Sequence, residues 1–455
     1  MGASPCFLKE LLIQGGLPLK IKEKHARFGL AVPLAAVLLL PSTAFAATNL
    51  PQTDVHPSEK AQENALESNL PTAGGGSTAA AFRLMRIDVE QDGTQLSAAA
   101  LDERTAPYLR RTLSEADINA LLAELTRYAR SHGYPAAAAY LPPQTNAEGA
   151  LEIRILAGRY GKITIDSSAA IDDGQIRRLA HALHTGAPIE GRRLEKALYN
   201  IAALGGIEAA GLLSPGADFG TSDLTIRVRD GKRQSFVLYS ENYGSKTSGR
   251  YRYGAQASLS NLTRSGDRLS LAAMLSNEDL RNYSVTYTRP VGVGGTVLGL
   301  GVSRMDYELS GAFRRLGAAG HADTVSLFGT SPLLRTARDS VSLTYGWDWR
   351  KLEDEYKNVG MTLEKHSNAA HIGVRGEMNR PRTRLTYDLT AYHGTIASDS
   401  AMAERQMRRA GTEGSFTKGV LNLGMRQELG GRFHLNLKTQ FQAAGDNLDS
   451  SEAIY

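Results

Sequence analysis

His321, His366, His371, His393 and His434 are the side chains of this 455-residue chain best suited to metal or proton chemistry, yet they stand apart. No pair of them has the His-Glu-x-x-His type of spacing that puts two imidazoles on one side of a helix. Gly292-Val293-Gly294-Gly295 has the look of a phosphate loop, but no Lys-Thr pair follows it and it falls where a turn between two strands is expected. A single cysteine, Cys6, precedes a hydrophobic stretch, which leaves no thiol pair for a disulfide or a metal. Asp348, Arg350, Arg375 and Asp388 remain as charged side chains in otherwise alternating segments. They fit the wall of a water-filled passage, where they would tune what passes, and they fit equally well the solvated face of a sheet. This pattern predicts no catalytic residue, no metal site and no cofactor.

The elements that must carry these residues are short strands. Between Ser235 and Ala443 the chain breaks into eleven alternating stretches, 235–241, 250–260, 267–275, 282–290, 295–305, 322–330, 339–351, 368–378, 382–394, 415–427 and 431–443. In 341–350 the side chains of Val341, Leu343, Tyr345, Trp347 and Trp349 point one way. Ser342, Thr344, Gly346, Asp348 and Arg350 point the other. A sandwich buries the apolar face, whereas a membrane barrel turns it to lipid and keeps the polar face for the lumen. Alternation alone does not separate the two. Tyr251, Tyr283, Tyr287, Trp349 and Tyr392 are candidates for aromatic girdles.

The first fifty residues favour the barrel. Basic Lys20, Lys22, Lys24 and Arg27 precede a thirteen-residue apolar run, 28–40, and Ala44-Phe45-Ala46 follows. The run is shorter than the roughly 20 residues of a spanning helix and contains Pro33, so a secretory signal cleaved after Ala46 is expected. Cys6 would leave with it. The formal charge of +5 raises the question of nucleic acid, but the basic residues are dispersed, without a compact basic helix or a stacking motif, so no nucleic-acid partner is expected.

Residues 47–80, with Pro51, Pro57, Pro71 and Gly74-Gly75-Gly76, read as a linker with a candidate helix at 58–70. Two units of the order strand, helix, helix, strand, strand then occupy 81–158 and 159–230. Ser114 is positioned to cap a helix bearing Leu121, Leu122, Leu125 and Tyr128, which Gly133 stops. Each unit would expose a sheet edge. The strand Ile207, Glu208, Ala209, Ala210, Gly211, Leu212 and Leu213 is the candidate edge for docking an extended segment; a spacer with covered edges is the competing reading.

His132-Gly133-Tyr134, Leu141-Pro142-Pro143-Gln144, Gly149-Ala150-Leu151 and Gly158-Arg159 in the first unit resemble the first POTRA domain of two-partner secretion transporters, the haemolysin and filamentous-haemagglutinin exporters. Leu213-Ser214-Pro215-Gly216, Gly220 and Asp223-Leu224 resemble the second. Glu241-Asn242-Tyr243-Gly244-Ser245, Asn261-Leu262 and Gly266-Asp267 resemble the start of that family's barrel. The resemblance implies two α+β periplasmic POTRA domains of β-α-α-β-β order before an all-β antiparallel outer-membrane barrel of 16 strands, of which residues 231–455 supply eleven. It implies export, without nucleotide hydrolysis, of a passenger exoprotein carrying an N-terminal secretion domain. Further implied partners are outer-membrane lipid and the barrel-assembly machinery that inserts such proteins, and family members also place a helix inside the barrel. A barrel-assembly insertase of the same superfamily is the alternative function.

An even strand count closes bacterial single-chain barrels, so eleven strands leave an edge unpaired. Asn447-Leu448-Asp449-Ser450-Ser451-Glu452 resembles the start of the family's sixth extracellular loop, which folds back into the pore. On this reading roughly five strands lie beyond the sequence. The loop's Val-Arg-Gly-Tyr signature does not occur in it.

Overall fold

The computed structural model describes residues 84–144, 149–242, 244–245 and 247–453. The expected cleavage site at Ala46, the linker and its candidate helix lie outside the described residues. The chain divides into two bodies, one running to residue 203 and resuming at 207–231, the other made of 204–206 and 232 onward.

The first body holds two small three-stranded sheets. In the first, β1 (Arg86–Asp92), β2 (Ala138–Tyr140) and β3 (Ala150–Leu156) lie in the order β1-β3-β2, with β1 parallel to β3. Alternation on β3 drives Leu151, Ile153 and Ile155 into the core and leaves Arg154 outside beside Glu90 and Glu152. Helices α1 (Ala98–Thr105) and α2 (Glu115–Ser131) cover the apolar face through Leu101, Leu121 and Leu125. Burying one such aliphatic side chain contributes about 1.5–3 kcal/mol. The Ser114 cap forms as a capping box: its hydroxyl accepts from the Asp117 N–H, and the Asp117 carboxylate accepts from the Ser114 N–H. Gly133, at φ +100°, ends α2.

The second sheet joins β4 (Arg159–Ser167), β5 (Ile207–Pro215) and β6 (Thr221–Asp230) in the order β4-β6-β5. Leu224, Ile226 and Val228 are fully buried beneath α3 (Asp173–Leu179) and α4 (Gly191–Ala202), the latter contributing Leu194, Ala197 and Ile201. The two sheets are tied together at Gly158 and Arg159. The Gly158 carbonyl accepts from the Ile189 N–H at 2.9 Å, and Arg159 reaches Asp92 at 2.9 Å. At Gly158 φ is +74° and an added Cβ would lie 2.7 Å from the Ala136 carbonyl oxygen, so only glycine fits this link.

The second body is one antiparallel sheet of eleven strands, each paired only with its neighbours in sequence. They are β7 (Gln234–Glu241), β8 (Arg252–Ser260), β9 (Arg268–Ser276), β10 (Arg281–Val291), β11 (Thr296–Glu308), β12 (Ala318–Arg335), β13 (Asp339–Tyr356), β14 (Met361–Arg380), β15 (Thr383–Ser398), β16 (Gly414–Gly430) and β17 (Phe433–Ala444). The eleven expected strands are therefore all present, and β7 and β17 are the edges of an unclosed barrel sheet.

Burial in this sheet is inverted relative to a sandwich. Leu298, Leu300, Val302, Leu327, Trp347, Ile372 and Leu389 are exposed, whereas Ser326, Asp348, Arg350, Lys365, Ser367 and Lys418 are buried. An exposed apolar face of this extent is stable only against lipid. On β13 the backbone climbs roughly 27 Å from Val341 to Trp349 at ~3.4 Å per residue. At a tilt near 40° that is roughly 21 Å of height, close to the ~25 Å apolar band of such barrels. Above Trp349 the same face carries Lys351, Glu353 and Glu355, so the strand projects beyond the lipid.

One end of the sheet has tight turns, two residues each at 381–382 and 431–432; the other has the longer connections, including 399–413 with helix α5 (Ala401–Ala410). Short turns on one side and long loops on the other are the asymmetry of outer-membrane barrels. In the turn at 261–267, the Asn261 side chain accepts from the Gly266 N–H and Asp267 accepts from the Thr263 N–H. Tyr392, a candidate for an aromatic girdle, faces the other way. Its register opposite His371 and Lys418 puts it on the polar side, with its ring 5.3 Å from the His371 ring.

Candidate functional site

Two features can do something chemical: a strand edge in the first body and the charged face of the large sheet. Strand β5 pairs with β6 alone, and its other side is a sheet edge nine residues long. Two hydrogen bonds fix which backbone groups face that edge. Ser168 N–H donates to the Val228 carbonyl, turning Val228 toward β4, while Gly216 N–H donates to the Thr221 carbonyl, so residues of the Thr221 phase turn toward β5. Ala209, Gly211 and Leu213 oppose Val228, Ile226 and Leu224, the phase that faces away from β5. In an antiparallel ladder these are non-hydrogen-bonded pairs, so the N–H and C=O of Ala209, Gly211 and Leu213 point to the free side. Ile207 shares their phase; Glu208, Ala210 and Leu212 are held by β6.

The corresponding edge of the first sheet is closed by its own sequence. Strand β2 has three residues, and Pro142 and Pro143 follow it with no N–H to offer. Gln144 then imitates a peptide group: its amide nitrogen donates to the Glu152 carbonyl at 2.8 Å, and its oxygen accepts from the Glu152 N–H at 2.8 Å. The Leu-Pro-Pro-Gln run thus ends the strand and occupies the next backbone site on β3.

On the large sheet, the register brings Asp348, Arg350, Arg375 and Asp388 to one face. Arg375 Nε donates to Asp388 at 2.7 Å at the tight-turn half, with the arginine half exposed. Asp348 is buried, accepting from Ser326 at 2.5 Å with His371 at 3.4 Å. Arg350 is also buried, because residues 446–453 fold back over the polar face. Its guanidinium donates to the Glu452 carboxylate at 3.1 Å and to the Ser451 carbonyl at 3.3 Å. Lys418 Nζ lies 2.6 Å from Glu452 Oε2, and Lys365 Nζ lies 3.0 Å from Asp449 Oδ1 and 3.6 Å from Asp354. Tyr307 donates to Asp354. Leu448 adds an apolar contact against Ala369, Ile396, Phe416 and Met407 of α5.

Sequence reasoning identified Arg350 and, through the resemblance, named 447–452 as a segment that folds back, but it missed that Lys365 and Lys418 join Arg350 in pairing with Asp449 and Glu452. Lys418 occupies a polar position in an alternating stretch, which was the available signal. The carboxylates sit in a segment without periodicity, 84 residues from Lys365 in one case and 34 from Lys418 in the other, so no local pattern pairs them. No group of three or more candidate metal ligands occurs among the described residues.

Comparison with known proteins accords with this geometry. Residues 220–455 match the haemolysin secretion/activation protein family ShlB/FhaC/HecB, and residues 82–158 match the ShlB-type POTRA domain. The chain is 28% identical over 351 residues to the heme/hemopexin transporter protein HuxB of Haemophilus influenzae, covering 76% of this chain and 62% of that protein. It thus spans less than two thirds of that relative. The hemolysin transporter protein HpmB of Proteus mirabilis is 24% identical over 265 residues, covering 57% of this chain and 46% of that protein. The fold is that of CdiB from Escherichia coli, with a TM-score of 0.64 at 20% identity over 86% of this chain and 74% of that one. CdiB from Acinetobacter baumannii gives 0.56 at 16% identity over 82% and 70%.

Proposed function

This chain belongs to the haemolysin secretion/activation family ShlB/FhaC/HecB, and from that membership we propose that it forms the wall of an outer-membrane pore that exports a partner exoprotein in two-partner secretion. The observation that carries the reading is the inverted sheet, apolar toward lipid and charged within. A wall of hydrated side chains lets an unfolded polypeptide slide without a deep binding minimum, and no covalent chemistry is required. Lipid contacts the outer face, and the barrel-assembly machinery inserts the protein. Relatives of this kind transport heme/hemopexin and hemolysin proteins, and the passenger here is an exoprotein of that general class.

Recognition belongs in this reading to the periplasmic units, the second of which acts as a second POTRA domain. Its β5 edge offers the backbone groups of Ala209, Gly211 and Leu213 to an incoming extended segment, with neighbouring side chains supplying preference. Asp348, Arg350, Arg375 and Asp388 belong to the pore wall.

The phase of β5 makes the test specific. Ala209→Pro removes a donor that faces the free edge, whereas Ala210→Pro removes one that bonds β6 and so strikes the fold itself. Secretion into the medium of the exoprotein encoded by the adjacent gene is the readout, with the amount of heat-modifiable barrel as the control. Ala209→Pro should cut secretion at least about tenfold with the barrel retained, and undiminished secretion would remove β5 from the docking role. Absence of any export by the unaltered protein would count against the pore itself.

A further inference from the structure

The apolar face of the large sheet is not uniformly bulky. Val302 belongs to the outward row of β11, and the register carries that row across Val285, Leu271 and Ala257 to Phe236 on β7. The next row toward the longer connections runs through Ala255, Ala273, Tyr283, Arg304 and Asp323. Ala255, Ala257 and Ala273 are therefore neighbours on β8 and β9, and each projects only a methyl group. They floor a cavity of about 610 Å³, walled by Phe236, Leu271, Tyr283 and Val302. Its volume falls in the roughly 300–1,000 Å³ range of small-molecule sites. Lined by these groups and set in a face that meets hydrocarbon, it is a place for a lipid chain and not for water.

One end of the cavity is charged. Arg304 lies two residues beyond Val302, toward the 309–317 connection and so toward the outer leaflet. Its guanidinium is braced by Asp306 at 3.0 Å and Asp323 at 3.3 Å, and its side chain stays half exposed. Tyr283 lies opposite it, as tyrosine rings do at the level of lipid headgroups. A half-open guanidinium can donate to a phosphate, and the two partly exposed carboxylates can accept from sugar hydroxyls. A trough for a chain, followed by a cation beside hydroxyl acceptors, repeats the order of groups along a phosphorylated glycolipid.

We propose that this cavity is a binding site for an acyl chain of lipid A, the phosphorylated glycolipid of the outer leaflet. The chain lies on Ala255, Ala257 and Ala273 between Phe236 and Tyr283, with a glucosamine phosphate at Arg304 and sugar hydroxyls at Asp306 and Asp323. Seated there, one lipid molecule braces the first strands of the sheet from outside. The inference rests on the sheet facing lipid and not on what passes through the pore.

Native mass spectrometry of the protein extracted from outer membranes in mild detergent reads the lipid directly. The unaltered protein should retain one lipid A, and after delipidation should regain it from added lipid A but not from added phosphatidylethanolamine. Ala257→Phe combined with Ala273→Leu fills the trough while keeping the outer face apolar, and should cut the retained fraction at least tenfold. Arg304→Gln leaves the trough open and should lower retention several-fold. Ala391→Leu, a like change on the outward face of β15 opposite Ile372, is the control and should retain lipid A as before. Heat-modifiability shows that each variant is assembled, and Ala273→Leu alone replaces the double variant if that one fails to assemble. Absence of lipid A from the unaltered protein, equal retention by the filled variant, or equal binding of phosphatidylethanolamine would each overturn the proposal. None of these readings needs export, so failure of the pore reading appears separately, as missing exoprotein in the medium.

Discussion

At the scale of single residues, polar side chains here act mostly as substitutes for backbone or as partners for one another. Asp166 on β4 is an example outside the membrane. Hydrogen bonding from Arg229, at 2.7 Å, with help from Arg227 at 3.5 Å, holds its carboxyl below the usual carboxylate range. A depressed folded-state pKa means that its contribution to stability is present above the ordinary aspartate value of about 3.9 and is lost as pH falls through the folded value. Asp166→Asn should therefore lower stability at neutral pH and flatten the acid limb of urea unfolding followed by circular dichroism. Because both partners are about half exposed, the effect should shrink in high salt. The same logic of substitution governs Gln144, which no propensity scale would single out. Removing it by Gln144→Ala forfeits two hydrogen bonds to Glu152, each worth about 0.5–1.5 kcal/mol, and uncovers the β3 edge. A loss of about 1–2 kcal/mol in urea unfolding is expected, and an unchanged midpoint would mean that the amide is only a surface decoration.

At the scale of elements, the strands were legible because lipid on one side and water on the other impose strict alternation. All eleven appear in sequence order, yet several run longer than their periodicity indicated. Alternation was traced over 339–351, whereas β13 continues to Tyr356, because Lys351, Glu353 and Glu355 stand above the lipid and no longer contrast with their neighbours. Strand β14 likewise begins at Met361 rather than 368, its first outward residues being Thr362, Glu364 and His366. Helix α5 was not anticipated: it sits in a loop and is fixed by Ala403 and Met407 packing on the sheet, which is tertiary information. The longest helix of the first body was easier, since Ser114 announces itself as a cap and accepts the expected backbone donor. Of the candidate site, the edge strand was visible as a run of small and apolar residues. Which of its amides face outward was not, because that phase depends on pairing between β4, β6 and β5, far apart in sequence.

At the scale of the whole sheet, one physical contrast decides where a substitution is tolerated. Leu300 stands at the middle of the outward row Leu298, Leu300 and Val302 on β11, with Tyr287 and Leu327 beside it on the neighbouring strands. An arginine there must lie in hydrocarbon at a cost of about 2–4 kcal/mol near the midplane. Ser303 is roughly 10 Å away along the same strand, opposite Ser284 and Thr324, on the polar face. Arginine at that site meets water and other polar groups instead. Leu300→Arg should therefore reduce the yield of heat-modifiable, membrane-extracted barrel, while Ser303→Arg should leave the yield intact and alter ion selectivity in planar bilayers toward anions. Equal tolerance of both variants would mean that the exposed apolar face does not meet lipid. A sandwich gives the same order of tolerance, because its apolar face is sealed from water and its polar face accepts charge freely. That polar face lines no lumen, however, so Ser303→Arg would leave no ion selectivity to alter. The selectivity change at Ser303, read in a sheet extracted from the membrane, is what separates by experiment the two architectures that alternation alone left equivalent.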